Sequence, residues 1–320
     1  MFSRLEGLTA RINGLLKAIL EEDQGFFGEV GAYSLLGGGK RLRPLIFCLS
    51  YQALGLELDD DAVKQAASFE LLHMATLMHD DIIDQSDLRR GRSAAHHVFG
   101  IPETVMAADY LIAKSGLMTL AKSSLETMRL MINLLADLSL GELAELKARR
   151  EAGLTADRYM DIIYKKTAAL LETVGRAAAL VGEADEKSSK ALSDYGRLLG
   201  LGFQITDDVL DYRAQEGKLG KPVGQDLAEG RITLPFIMAR EALTGADRQR
   251  LVELGSMDPL EKEHLDEVRH LLDKGQGIER AMAEARRLAE EAALALKALA
   301  PSPERELLAD LALYSVERDR

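Results

Sequence analysis

Apolar residues recur at three- and four-residue intervals along almost the whole chain, and strict apolar/polar alternation is hard to find. The segments "AVKQAASFELLHMATLMHDD", "RLMINLLADLSLGELAELKARRE", "DRYMDIIYKKTAALLETVGRAAALVG" and "KALSDYGRLLGLGFQITDDVLDY" each carry a stripe of Leu, Ile, Met and Ala down one helical face. Several prolines stand where such patterns break, at Pro44, Pro102, Pro222, Pro301 and Pro303. These periods predict an all-α fold whose helices are long enough to surround a central space. No Pro/Ser-rich linker or change of composition interrupts the pattern, so one domain over 1–320 is expected.

Composition narrows the function. No run of about 18 uncharged apolar residues occurs, so no transmembrane segment is expected. The opening "MFSRLEGLTARINGLLKAILEED" is amphipathic and charged throughout, unlike a secretory leader. Cys48 is the one cysteine, set in an apolar run; a small buried hydrophobe in a reducing cytoplasm fits it. Formal charge is −12, from 40 basic and 52 acidic residues, which argues against nucleic acid as a partner.

Two apolar segments end in the same acidic pattern: Asp80, Asp81 and Asp84, then Asp207, Asp208 and Asp211. On a helix, residues four apart share a face, so Asp80 projects with Asp84 and Asp207 with Asp211. Like charges at that spacing destabilise a helix unless a counter-charge is present. Mg²⁺ is a natural one, because it takes one or two carboxylates together with phosphate oxygens. Apolar helices with an acidic rim suit a substrate that has a greasy tail and a phosphorylated head.

Basic clusters supply the matching half. Gly37, Gly38 and Gly39 precede Lys40, Arg41 and Arg43, with Pro44 placed to open a helix. Glycine lets backbone approach an anion, and arginine offers a planar fork for phosphate. The spacing is not that of a Walker A loop. Arg89 and Arg90 follow the first aspartates, and Lys165, Lys166 and Thr167 lie in another helical segment. His73 stands seven residues before Asp80, on the same face and about 10 Å away.

Taken in order, "GGGKRLRP", "LLHMATLMHDDIIDQSDLRRG", "YKKTAALLE", "GFQITDDVLD", "GKPVGQDLAEGRITLP" and "YSVERDR" resemble the trans-prenyl diphosphate synthases (polyprenyl synthetases). The resemblance is strongest to the bacterial long-chain, octaprenyl-type branch. It implies a bundle of long helices around a deep cavity, working as a homodimer. By that likeness Asp80, Asp81, Asp84, Asp207, Asp208 and Asp211 hold three Mg²⁺ against the allylic diphosphate. Arg89, Lys166, Thr167, Gln204 and Lys221 contact the same diphosphate, with Lys166 also counted among the catalytic groups. Lys40, Arg43, His73 and Arg90 hold isopentenyl diphosphate. Two departures touch the anion sites: "GRSAAHH" stands where many relatives have a Pro-Thr pair, and Arg231 where a Lys is common.

The chemistry so implied is ionisation of the allylic diphosphate, attack by the double bond of isopentenyl diphosphate, and proton loss to a new trans double bond. Apolar walls exclude the water that would quench the cation, and product release involves transient membrane contact. Short-chain members of the family place an aromatic ring four or five residues before the first aspartate. Here Thr76 and Ala75 stand at those positions, with Phe69, about 16 Å down the helix from Asp80, as a deeper floor. The expected product is therefore a C30–C50 chain of the kind used for quinone side chains, with a C15–C20 product as the alternative. A class I terpene cyclase and a non-catalytic subunit of a heteromeric synthase are the rival readings. An all-aspartate second motif and a full set of acidic and basic residues argue against them.

Overall fold

The computed structural model describes residues 2–22, 25–35, 37–120, 125–213 and 224–317. They are overwhelmingly helical, as the apolar periods predict. In chain order come α1 (Phe2–Glu22), α2 (Phe26–Leu35), α3 (Leu42–Ala53) and α4 (Asp60–Ile83). Then follow a hairpin of β1 (Leu88–Arg89) and β2 (Arg92–Ser93), α5 (Ala95–Phe99), α6 (Ile101–Leu120), α7 (Leu125–Ala148) and α8 (Ala156–Ile163). A π-helical turn, Tyr164–Ala168, leads into α9 (Ala169–Val181) and α10 (Glu186–Arg213). The remainder is α11 (Gln225–Ala228), α12 (Leu234–Ala242), α13 (Gly245–Gly255), α14 (Lys262–Lys274), α15 (Gly277–Ala295), a 3₁₀ turn at Leu296–Ala298, and α16 (Pro303–Glu317). No helix among the described residues is long and apolar enough to cross a membrane.

Contacts group the chain into two units. The first comprises 1–132, 174–189 and 299–307; the second comprises 133–173, 190–298 and 308–320.

In the first unit α4 is the central element, packed along α3 and α6. Its start is set by Asp59, whose carboxylate accepts a hydrogen bond from the Ala62 amide at 2.7 Å. Asp60 and Asp61 in the first turn suit the positive end of the helix dipole. Phe69, Leu71, Leu72 and Ala75 are fully buried along it, and each large apolar side chain so buried contributes about 1.5–3 kcal/mol. Phe69 meets Phe47 of α3 with ring centroids 6.0 Å apart. A polar seam joins α4 to α6: the buried Gln65 amide donates to Thr119 Oγ1 at 3.3 Å, and Ser68 Oγ lies 3.3 Å from the same hydroxyl. Each buried polar group there has a partner, which removes the cost of burying it.

The hairpin holds the only strands among the described residues. Leu88 pairs with Ser93 and Arg89 with Arg92, across a two-residue turn at Arg90 and Gly91. Both turn residues have positive φ, 52° and 75°, as a type I′ hairpin turn demands. A period-based reading does not register so short a ribbon.

Cys48 is fully buried on α3, and burial pushes its thiol up to about 12. At pH 8 such a thiol is about one part in ten thousand thiolate, and the thiolate is the reactive form. Alkylation of Cys48 by iodoacetamide is therefore expected to be negligible in the folded protein and complete in denaturant. Fast labelling of the native protein would show that α3 opens.

In the second unit α12 packs against α14 and α15, with Phe236, Ile237, Leu251, Leu254 and Leu272 at zero exposure. Tyr195 of α10 is fully buried, and its hydroxyl donates to the Leu308 carbonyl at 2.8 Å. Two glycines set the spacing around the π-helical turn. A Cβ on Gly141 of α7 would lie 2.7 Å from the Lys166 amide nitrogen, and one on Gly200 of α10 would lie 2.5 Å from Ala168 Cα. Only glycine permits backbones that close.

Candidate active site

The first aspartate motif ends α4. Asp80 lies in the last turn, and Asp84 is the C-cap residue, its amide bonded to the Asp80 carbonyl at 2.8 Å. The two carboxylates thus stand one turn apart, as their spacing predicts. Both are half-buried, whereas Asp81 is only 4% exposed. Asp81 is held by Arg89 of the hairpin, whose Nε donates to its two oxygens at 2.9 and 3.1 Å, with Nη2 on Oδ1 as well. Arg89 therefore sits on the aspartate motif itself.

The second motif repeats this arrangement at the end of α10. Asp207 and Asp211 are half-buried and Asp208 is 4% exposed. Asp208 accepts a hydrogen bond from the Tyr159 hydroxyl of α8 at 2.5 Å and another from Gln204 Nε2 at 2.9 Å. Thr167 Oγ1 in turn donates to Gln204 Oε1 at 2.7 Å. Thr167, Gln204 and Asp208 thus form one relay, made possible by the close approach of α10 at Gly200 to the π-helical turn. Burial, with Asp226 and Asp207 adding like charge, holds the Asp208 carboxyl far above the usual carboxylate range. Asp211 is raised to about 7, by burial and by Asp226, whose amide donates to Asp211 Oδ2 at 3.1 Å.

Lys166 projects from the π-helical turn onto α7, where its ammonium meets Glu142 at 2.9 Å and Glu145 at 2.5 Å. Burial alone would lower the ammonium, but Glu145 and Glu142 outweigh it and hold it above the ordinary lysine range. π-Helical turns commonly mark functional positions because they re-aim side chains out of the α-helical register.

The basic loop lies in the first unit. Lys40 is exposed, and Arg43 stands in the first turn of α3 with its Nε buried and unpartnered. Burial lowers the Arg43 guanidinium to about 10, with Arg90 adding to the effect and Glu70 opposing it. Arg90 Nη1 donates to the Gly38 carbonyl. A Cβ on Gly39, whose φ is +134°, would lie 2.9 Å from that same guanidinium. His73 is kept neutral: burial, then Arg43, Arg90, Arg89 and Arg41, push it well below its ordinary value. Arg43 and Arg90, with Arg89 and Arg41, thus make one cationic region around a neutral imidazole at His73, while Lys40 stands exposed on the loop before it. Lys221 lies outside the described residues.

Sequence reasoning missed Tyr159, Glu142, Glu145, Asp226 and Glu70, and it read Arg41 only as one member of the basic cluster. Asp226 was within reach, because it sits in the quoted "GKPVGQDLAEGRITLP". The others are partners across elements, and no spacing along the chain signals them.

Among the described residues no three acidic, histidine or cysteine side chains converge into a prebuilt cation site. The donor set nevertheless fits Mg²⁺, which takes only one or two carboxylates and completes its shell with water and phosphate. Asp80 and Asp84 stand at the negative end of a helix dipole, and Asp208 and Asp211 are raised by burial and like charge. Each of those costs is one that a divalent cation offsets.

Known proteins similar to this chain fall in one family. The sequence model of the polyprenyl synthetase family matches residues 25–272. The octaprenyl diphosphate synthase of Haemophilus influenzae is 37% identical over 97% of this chain and 93% of its own. A short chain isoprenyl diphosphate synthase of Methanothermobacter thermautotrophicus is 36% identical over 89% of this chain and 88% of its own. The crystal structure of a decaprenyl diphosphate synthase from Rhodobacter capsulatus superposes with a TM-score of 0.92 at 32% identity, covering 100% of both chains. With paired aspartate motifs at the ends of α4 and α10 and a family match through both, the chain belongs to the polyprenyl synthetase family and is a prenyltransferase.

Proposed function

We propose that the protein is a Mg²⁺-dependent head-to-tail trans-prenyltransferase. It condenses isopentenyl diphosphate with an allylic prenyl diphosphate and builds an all-trans C30–C50 polyprenyl diphosphate for quinone side chains. The observation that carries this reading is the repeated helix end: a half-buried aspartate pair one turn apart, flanking a buried aspartate locked by hydrogen bonds.

On this reading Asp80, Asp84, Asp207 and Asp211 hold up to three Mg²⁺, with Asp81 and Asp208 bracing them. When bound, the ions supply electrostatic stabilisation for the departing diphosphate. Thr167, Gln204, Lys166, Lys221 and Arg89 orient the allylic diphosphate. Lys40, Arg43 and Arg90 hold isopentenyl diphosphate, while the neutral His73 donates a hydrogen bond without adding to the crowd of positive charge. No side-chain nucleophile enters the scheme.

Octaprenyl- and decaprenyl-making relatives support the long product, and the short-chain relative supports the C15–C20 alternative. One domain over 1–320 is part of the proposal, since the family match runs unbroken through residues of both units. So are a cytoplasmic location, transient membrane contact at product release, and a homodimer. The dimer has support on α6, where Met106, Tyr110, Ala113, Leu117 and Leu120 repeat at alternating four- and three-residue steps. Met106, Leu117 and Leu120 are 53%, 68% and 52% exposed. A seam of that period suits a second copy of the same helix.

Incubation with isopentenyl and farnesyl diphosphates tests the reading. Elongated prenyl diphosphate is expected with Mg²⁺ and none with a chelator. A cyclised hydrocarbon, or no product until a second protein is added, would overturn it.

A further inference from the structure

Arg41 differs from the other cations of the glycine-rich loop. Its side chain is 3% exposed, as is that of Glu70, and the two form an ion pair at 3.0 Å. The guanidinium also donates from Nε to Asn13 Oδ1 of α1 at 2.8 Å, from Nη2 to the Leu35 carbonyl at 2.7 Å, and from Nη1 toward the Gly38 carbonyl at 3.4 Å. One side chain therefore ties together α1, the last residue of α2, the loop and α4.

A buried ion pair is by itself weak ground for stability. It contributes little beyond what apolar residues of the same volume would give, because desolvating two charges offsets their attraction. Arg41 also adopts a left-handed backbone, φ 51° and ψ 40°, at the cap of α3. Strained conformations of this kind persist where the surroundings over-determine them, and they concentrate at functional sites.

The bonds indicate what is being held. Gly38 O accepts from Arg90 as well as from Arg41, so the two arginines share one carbonyl. Arg43 is two residues further on, in the first turn of the helix that Arg41 caps, and its buried Nε has no hydrogen-bond partner. Glu70 lies three residues before His73, less than one turn along α4.

We propose that Arg41, held by Glu70, is a positioning residue of the isopentenyl diphosphate subsite, which touches no substrate and sets where Arg43 and Arg90 stand. The inference rests on the proposed assignment of Arg43 and Arg90 to that substrate.

Arg41→Lys keeps the charge opposite Glu70 but lacks the fork that reaches the Asn13, Leu35 and Gly38 oxygens together. Asn13→Ala removes a single bond and serves as the milder variant should Arg41→Lys fail to fold. The expected result for Arg41→Lys is a KM for isopentenyl diphosphate raised about tenfold, with kcat and the allylic KM within about twofold of the parent. Asn13→Ala should move the same constant about two- to threefold. A lowered melting temperature with an unchanged isopentenyl KM, or equal rises in both KM values, would leave Arg41 a merely structural residue and overturn the inference. Arg43→Ala run alongside separates the two levels. If it raises the isopentenyl KM while Arg41→Lys and Asn13→Ala do not, only the positioning role falls. If Arg43→Ala leaves that KM unchanged, the subsite assignment falls and takes the positioning role with it.

Discussion

Asp80→Ala and Asp207→Ala should each leave the helical fold in place and cut turnover by about a thousandfold or more, the scale seen when leaving-group stabilisation is lost. The fold is spared for a physical reason. Asp80 and Asp84 stack at i, i+4 at the C-terminal end of α4, where like charge and the helix dipole both work against them. Removing one carboxylate relieves that repulsion. Asp208→Ala is the contrasting variant. It strips the buried Tyr159 hydroxyl and the Gln204 amide of their acceptor, so a stability loss of about 1–3 kcal/mol should accompany the loss of activity. Thermal melts read the first difference, and steady-state rates with Mg²⁺ titration read the second. Near-parental turnover in Asp80→Ala or Asp207→Ala would reduce the motifs to solvated helix ends.

Product length should shorten to C15–C20 when Ala75→Phe and Thr76→Phe are combined, and the structure apportions the effect between them. At about 100° per residue, Thr76 lies about 40° around α4 from Asp80, while Ala75 lies about 140° away. Ala75 shares its side of the helix with Ser68, which pairs with Thr119, and with His79, which lies 3.5 Å from Asp109; both partners are on α6. Ala75 is fully buried, whereas Thr76 is half-buried with its hydroxyl bonded back to the His73 carbonyl at 2.8 Å. Thr76→Phe alone is therefore expected to block chain growth while sparing the first condensations. Ala75→Phe overpacks the α4–α6 seam and should cost about 1–3 kcal/mol of stability. Phe69 is two turns below Thr76 on the same face and locked against Phe47, so Phe69→Ala should lengthen the product. Chromatography of products made with excess isopentenyl diphosphate reads all of these. A parental enzyme that stops at C15 or C20, or a Thr76→Phe product of unchanged length, would refute the scheme.

What the sequence determined by itself is local. A 3.6-residue period writes the helices into the apolar pattern, and the same period puts Asp80 over Asp84 and Asp207 over Asp211 without reference to any other element. The burial of Cys48 in an apolar run, and the lack of a membrane-crossing helix among the described residues, are legible on the same basis. The tertiary structure decided everything that depends on two elements meeting. Nothing in "HDDIID" or "ITDDVLD" marks the middle aspartate as the buried one. Asp81 is buried because the hairpin brings Arg89 onto it, and Asp208 because α8 brings Tyr159. Lys166 reads as one half of a basic pair, yet the close approach at Gly141 sets it between Glu142 and Glu145. Arg41 and Arg43 look equivalent in "GKRLRP", and only the fold separates them, by placing Asn13, Leu35 and Glu70 around the first. Helical period is a property of one segment, whereas burial and pairing are properties of what packs against it, and side chains far apart in the chain supply that.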